Sequence, residues 1–316
     1  MMQFESVKNG SKIGVCTIDM AGQSQQYVIA LGTFDGVHRG HRALLAKTVE
    51  LAEKYHACPC VVTFANHPME VLAPDRELKL LSSLSEKAIC FADCGIRQMI
   101  LLPFDLDMAQ LTPEQFINDI LLQLPLKAAV CGYNYTFGCN SSGTVDYLTN
   151  TLLSKSINTV VIEEQKVHGL TVSSTQIRQL IEGDALETAN DLLGGYYMVG
   201  GQVVHGKERG RRMGFPTANV AAVEHKLLPP VGVYVGRAFV EGKEYKAVIN
   251  VGNNPTFDNL ETTVEAHLLD FEDNLYDKYL LLEFAKKLRP DIKFQSMEAL
   301  SQQIHQDTLQ ARNTDI

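Results

Sequence analysis

Residues 27–55 read YVIALGTFDGVHRGHRALLAKTVELAEKY. Five apolar residues lead into a glycine-punctuated turn and then into a run whose apolar positions recur at helical spacing, so a buried strand feeds a helix. The glycines let the chain turn tightly and let backbone amides approach an anion, and the helix N-terminus adds positive potential. His38 and His41 are three apart and share a face at the helix start. A triphosphate suits that site. The same residues also fit an ordinary glycine turn with exposed histidines. They fit a zinc site too, which would need a third ligand, and the sequence has no H-E-x-x-H.

Outward from this stretch, the alternation continues to about Ile162: PCVVTF then SEKAICFADCG, QMILL then PEQFINDILLQL, KAAVCG then TVDYLTNTLL, and finally NTVVIE. Strands alternating with helices imply βαβ crossovers and a parallel, doubly wound sheet whose ligands sit at the carboxyl ends of the strands. Two short helical segments follow, STQIRQLIEG and DALETANDLLGG, and Gly194-Gly195 closes the second. From Tyr196 to about Phe284 the texture changes to short strands separated by glycine and proline turns: YMVGGQVV, GVYVGRAFV, YKAVINVG, TTVEAHLLDF and YLLLEFAKKL. This predicts an antiparallel barrel, with a last amphipathic helix near 296–308. The expected division is 1–184 for an α/β domain and 185–316 for the barrel with its terminal helix.

Composition narrows the chemistry. The 316 residues are 45% hydrophobic with a formal net charge of −9, enough apolar material for two cores and no broad basic surface for a nucleic acid. The N-terminus lacks the order of a signal peptide and no apolar run is long enough to span a bilayer. Seven cysteines without a C-x-x-C pair read as reduced thiols. The expectation is a cytoplasmic protein with no membrane or nucleic-acid partner, binding phosphates by local devices.

The residues Gly32-Thr33-Phe34-Asp35-Gly36-Val37-His38-Arg39-Gly40-His41 closely resemble the G-x-F-D-G-x-H-x-G-H signature of nucleotidylyltransferases, in the form found in bacterial bifunctional riboflavin kinase/FAD synthetases. Thr63 to Pro68 is similar to that family's T-F-x-P-H-P, with Asn66 in place of proline. Gly132 to Gly138 resembles its G-x-[DN]-x-x-F-G loop, and Ser173 to Arg178 its S-S-T-x-I-R, with Gln176 where a second arginine is common. The resemblance implies that Gly32, Phe34, Asp35, Gly36, His38, His41, Ser174, Thr175 and Arg178 hold the phosphates of ATP, and that fixed cationic donors stabilise the charge moving onto departing pyrophosphate. An FMN phosphate is already anionic, so no general base is required. Asn66, His67 and Asn134 are the expected polar contacts to flavin or nucleotide.

In the second half, Gly201 to Gly206 and Gly210 to Asn219 resemble the riboflavin kinase G-x-V-x-x-G…G-x-x-x-G-F-P-T-A-N signature, and 230–234, 250–257 and 264–267 match later kinase motifs in order. No Walker lysine motif occurs. The resemblance implies that Thr217 and Asn219 hold Mg²⁺ with ATP, oxygen ligands of the kind Mg²⁺ prefers. Gly206 and Gly214 approach the phosphates, and Arg289 contacts flavin. Glu265 aligns with the catalytic glutamate that accepts the proton of the ribityl 5′-hydroxyl as it attacks the γ-phosphoryl group. Asp277 stands where glycine is usual and Asp291 where glutamate is common. The implied activities are phosphorylation of riboflavin to FMN and adenylylation of FMN to FAD. An enzyme with one working activity, or a non-catalytic flavin- or nucleotide-binding regulator, would carry the same pockets.

Overall fold

A computed structural model describes residues 2–22, 24–205, 214–255 and 260–316. The chain divides into two compact units: Met1–Ser6, Ser11–Leu78 and Lys87–Ser173 form one, and Val7–Gly10, Lys79–Glu86 and Ser174–Ile316 the other.

The first unit is built on a seven-stranded sheet. Its elements are β1 (Met2–Glu5), β2 (Lys12–Cys16), β3 (Tyr27–Leu31), α1 (Arg39–Tyr55), β4 (Cys58–Phe64), α2 (Pro68–Leu72), α3 (Leu84–Asp93, in this unit from Lys87 on) and β5 (Gln98–Leu102). Then come α4 (Leu106–Gln110), α5 (Pro113–Gln115), β6 (Leu126–Gly132), α6 (Val145–Leu153), β7 (Asn158–Ile162), and the small hairpin β8 (Lys166–Val167) and β9 (Leu170–Thr171). The strand order is β1-β2-β5-β4-β3-β6-β7. Strands β2 to β7 pair in parallel, and β1 adds an antiparallel edge that the alternation did not reveal. Every residue of β3 is buried. Tyr27, Ile29 and Leu31 enter a core with Phe116, Ile117, Leu148 and Leu152. Val28 and Ala30 are equally buried toward the opposite face, where α1 packs. The run PEQFINDILLQL is not one regular helix: α5 passes into a π turn at 116–120 and a tight turn at 121–123.

The last segment of the second unit opens with α7 (Ser174–Glu182) and α8 (Leu186–Leu193), which pack on each other. Gly194, in the left-handed region, caps α8 as the glycine pair suggested. Six strands close an antiparallel barrel: β10 (Tyr197–Val204), β11 (Ala218–Ala222), β12 (Gly232–Val240), β13 (Lys243–Pro255), β14 (Leu260–Leu268) and β15 (Tyr279–Arg289). Around it they run β10-β11-β14-β13-β12-β15, and β15 pairs with β10 to complete the ring. β11, which starts within P-T-A-N at Ala218, is the strand the turn-and-strand texture missed. Gly201 on β10 lies so close to the Ala221 carbonyl that no side chain fits there. The terminal helix α9 (Met297–Asn313) packs Ala311 against Val233, Val235 and Val248 of the barrel wall.

Candidate functional site

In the first unit, the chain builds outward from β3 to β4 and β5 on one side and to β6 and β7 on the other. The strand order reverses between β3 and β6, the point at which open α/β sheets place a ligand at the carboxyl ends of their strands. The loops after β3 and β6 flank it, bringing the histidine motif and the Asn134 loop to one edge.

Between β3 and α1 the backbone takes positive φ at Phe34 (52°), Gly36 (88°) and Val37 (33°). Buried packing supports that shape, since Phe34 is fully enclosed and stands edge-on to Phe91 at 5.3 Å. A Cβ at Gly32 would lie 3.2 Å from the Phe34 ring. Phe34 and Asp35 are therefore buried supports of the loop, which can offer a ligand their backbone but not an exposed side chain. His38 is the N-cap of α1: its Nδ1 accepts from the His41 amide at 3.3 Å, so its remaining ring proton lies on Nε2. The His38 and His41 rings stack 3.7 Å apart with a 12° tilt.

Burial lowers the His38 pKa to about 4, although the nearby Asp35 carboxylate acts in the opposite direction. Burial, then His38, then Lys87 hold His41 well below the usual histidine range. Desolvation thus favours the neutral form of both stacked imidazoles, which offers N–H donors rather than fixed charge. Lys87 on α3, in a segment read only as helix, is 8% exposed and donates to the Thr33 carbonyl at 2.9 Å.

Asn66 and His67, two of the other expected contacts, have structural partners. The Asn66 amide is engaged at both ends, Nδ2 donating to the Phe104 carbonyl and Oδ1 accepting from the Phe104 amide, each at 2.9 Å. His67 caps α2 through Nδ1, which accepts from the Met69 amide at 3.2 Å. Asn134 is exposed in the turn after β6. Ser174 and Thr175 lie in the first turn of α7, a helix of the second unit, and Arg178 Nε donates to the Lys79 carbonyl at 2.8 Å within that unit.

In the barrel, Glu265 on β14 is directly opposite Asn219 on β11 and Asn250 on β13, so the three residues share one face. Thr217 Oγ1 donates to Glu265 Oε2 at 3.3 Å. His267, two residues on, holds the Pro216 carbonyl at 2.8 Å through Nδ1. The P-T-A-N segment is thus stitched to β14 at two points. Beside it lies a cavity of about 650 Å³ lined by Thr217, Ala218, Ala266, Phe271, Leu275 and Tyr276, and the Tyr276 ring stacks on His205 at 4.0 Å. Asn250 was legible inside a motif but not as a neighbour of Glu265; only strand register reveals it.

Gly206, the run 207–213 and Thr256-Phe257 lie outside the described residues. Gly214 has φ +83°, and Asp277 has φ +65°, the left-handed turn conformation that favours glycine. Arg289 forms a forked ion pair with buried Asp307 of α9, 2.7 Å at its shortest. It clamps the terminal helix to the barrel instead of presenting a free guanidinium.

Comparison with known proteins assigns the two halves separately. The FAD synthetase family profile matches residues 21–176 and the riboflavin kinase profile residues 193–314. The bifunctional riboflavin kinase/FMN adenylyltransferase of Bacillus subtilis is 35% identical over 288 residues, covering 90% of this chain and 91% of that protein. The protein of the same name from Escherichia coli K12 is 35% identical over 301 residues, covering 95% and 96%. A crystal structure described as a macrolide-efflux protein from Streptococcus pneumoniae superposes with a TM-score of 0.84 at 29% identity, over 96% of this chain and all of that one. Among the described residues, no helix is long and apolar enough to cross a membrane.

Proposed function

Because this chain belongs to the bifunctional riboflavin kinase/FMN adenylyltransferase family, we propose that it phosphorylates riboflavin to FMN in the barrel, within residues 185–316, and adenylylates FMN to FAD through the α/β half, within residues 1–184. One observation carries the division: the two family matches fall one on each side of the change from parallel sheet to closed barrel.

In the kinase reaction, the ribityl 5′-hydroxyl oxygen attacks the γ-phosphorus of ATP, its O–H proton passes to Glu265, and ADP leaves. The hydroxyl of Thr217, close to that carboxylate, and the side-chain oxygen of Asn219 form a hard-oxygen donor set that fits Mg²⁺. When bound, the cation would offset charge on the transferring phosphoryl group. Thr217 orients the carboxylate as well, because its hydroxyl donates to Oε2.

In the adenylyl transfer, an oxygen of the FMN phosphate attacks the α-phosphorus and pyrophosphate departs. The nucleophile carries no proton to remove, which accords with neutral histidines that donate N–H bonds to the triphosphate. Ser174, Thr175 and Arg178 are the further phosphate contacts in this reading, and Asn134 and His67 remain its polar contacts to flavin or nucleotide. All seven cysteines are free thiols, which supports a cytoplasmic location.

Purified protein incubated with ATP, Mg²⁺ and either riboflavin or FMN, with the flavins separated by chromatography, tests the proposal. Riboflavin should yield FMN and then FAD, and FMN should yield FAD. FAD from FMN alone would leave a single competent activity, and no product from either substrate would identify a binding regulator.

A further inference from the structure

Three positions converge on the loop between β3 and α1. The Thr33 carbonyl, one residue before the positive-φ Phe34, accepts from Lys87 Nζ at 2.9 Å and from Thr63 Oγ1 at 3.4 Å. Lys87 comes from α3, is 8% exposed, and so places an ammonium under the loop with little water around it. His41, stacked on His38, has its Nδ1 enclosed with no hydrogen-bond partner in the described structure. An amine beside His41 adds, after burial and His38, to what opposes protonation of that ring.

We infer that Lys87 is a positioning residue of the adenylyl-transfer site: it fixes the Thr33 carbonyl and hence the loop that leads to His38 and His41, and it brings an amine from α3 beneath that loop. The inference rests on the adenylyl-transfer reading of the first unit. The groups that bear on His41 are His38 from the loop and Lys87 from α3, and Asp35 bears in turn on His38. The low His41 pKa accords with this arrangement. A transferring triphosphate then meets a loop whose backbone is held from below by a side chain of α3.

The test uses the full chain, with FAD formation from FMN, riboflavin phosphorylation and the ring-carbon NMR titration of His41 read on each variant. Lys87→Gln keeps a donor for the Thr33 carbonyl and removes the charge. FAD formation should fall by up to roughly 100-fold, less than the 10²- to 10³-fold of a lost donor at the transition state because Lys87 acts through the loop, His41 should titrate at higher pH than in wild type, and riboflavin phosphorylation should not change. Lys87→Arg should restore most of the rate and the low His41 titration. A wild-type chain that makes FAD while Lys87→Gln matches it in rate and in His41 titration overturns the inference alone. A wild-type chain that makes no FAD overturns the adenylyl-transfer reading and the inference together. Should Lys87→Gln fail to fold, Lys87→Arg decides, because FAD formation below about a tenth of wild type from that folded, charge-retaining variant also overturns it.

Discussion

At the residue scale, the two reactions separate cleanly. His41→Ala should remove most FAD formation from FMN and leave riboflavin phosphorylation nearly intact; equal loss of both from folded protein would count against two sites. Glu265→Gln should lower riboflavin phosphorylation by roughly two to four orders of magnitude, the usual range for a lost general base, while FAD formation from supplied FMN continues. The histidine pair also makes stability depend on pH. Folded His38 has its pKa lowered to about 4, so the unfolded chain binds more protons as pH falls below the ordinary histidine range of about 6.5. The contribution is fully present above that range and is lost as pH falls toward 4. Thermal melts should show the first unit weakening across this window by up to about 1.4 kcal/mol per pH unit for each neutral histidine, and His38→Asn should flatten the trend.

At the element scale, the second unit depends on a buried charge that no motif announces. Glu86 and Lys226 have side chains only 1% and 2% exposed and approach to 2.7 Å. The other Glu86 oxygen accepts from the Gly200 amide of β10 at 2.8 Å. Glu86→Ala leaves an ammonium and a strand amide buried without that carboxylate, and should cost the unit about 3–5 kcal/mol in a denaturant melt. The turn before β15 offers the opposite case: Asp277 holds φ +65°, and Asp277→Gly should gain stability by relieving a conformation that costs L-residues about 1–2 kcal/mol. β11 escaped the sequence reading because ANVAA is short and weakly apolar. It is a strand because β10 and β14 both pair with it. The breakup of PEQFINDILLQL has the same character: its period is helical, but Phe116, Ile117 and Leu121 are drawn into the sheet core, and packing overrides the regular helix.

At the scale of the whole molecule, residues 1–184 and 185–316 should each fold when the chain is cut at that point, the second piece retaining kinase activity and the first at least nucleotide binding. Circular dichroism and flavin chromatography on the separate pieces check this. The 185–316 piece should melt below the barrel of the intact chain, because it lacks α7 and the segment Lys79–Glu86 that clusters with it. What the sequence by itself determined was the alternation of strands and helices, the switch to barrel texture near Tyr196, and the residues of P-T-A-N, Glu265 and the histidine loop. Those are local periods and local turn chemistry, written in consecutive residues. Only the tertiary structure decided the desolvation and stacking of His38 and His41, the partners of Asn66 and Arg289, the alignment of Asn250 with Glu265, and the place of Lys87 beneath the loop. The physical reason is that desolvation, strand register and long-range pairing depend on which distant residues exclude water and supply a neighbour: Lys87 lies 54 positions from the Thr33 carbonyl it holds.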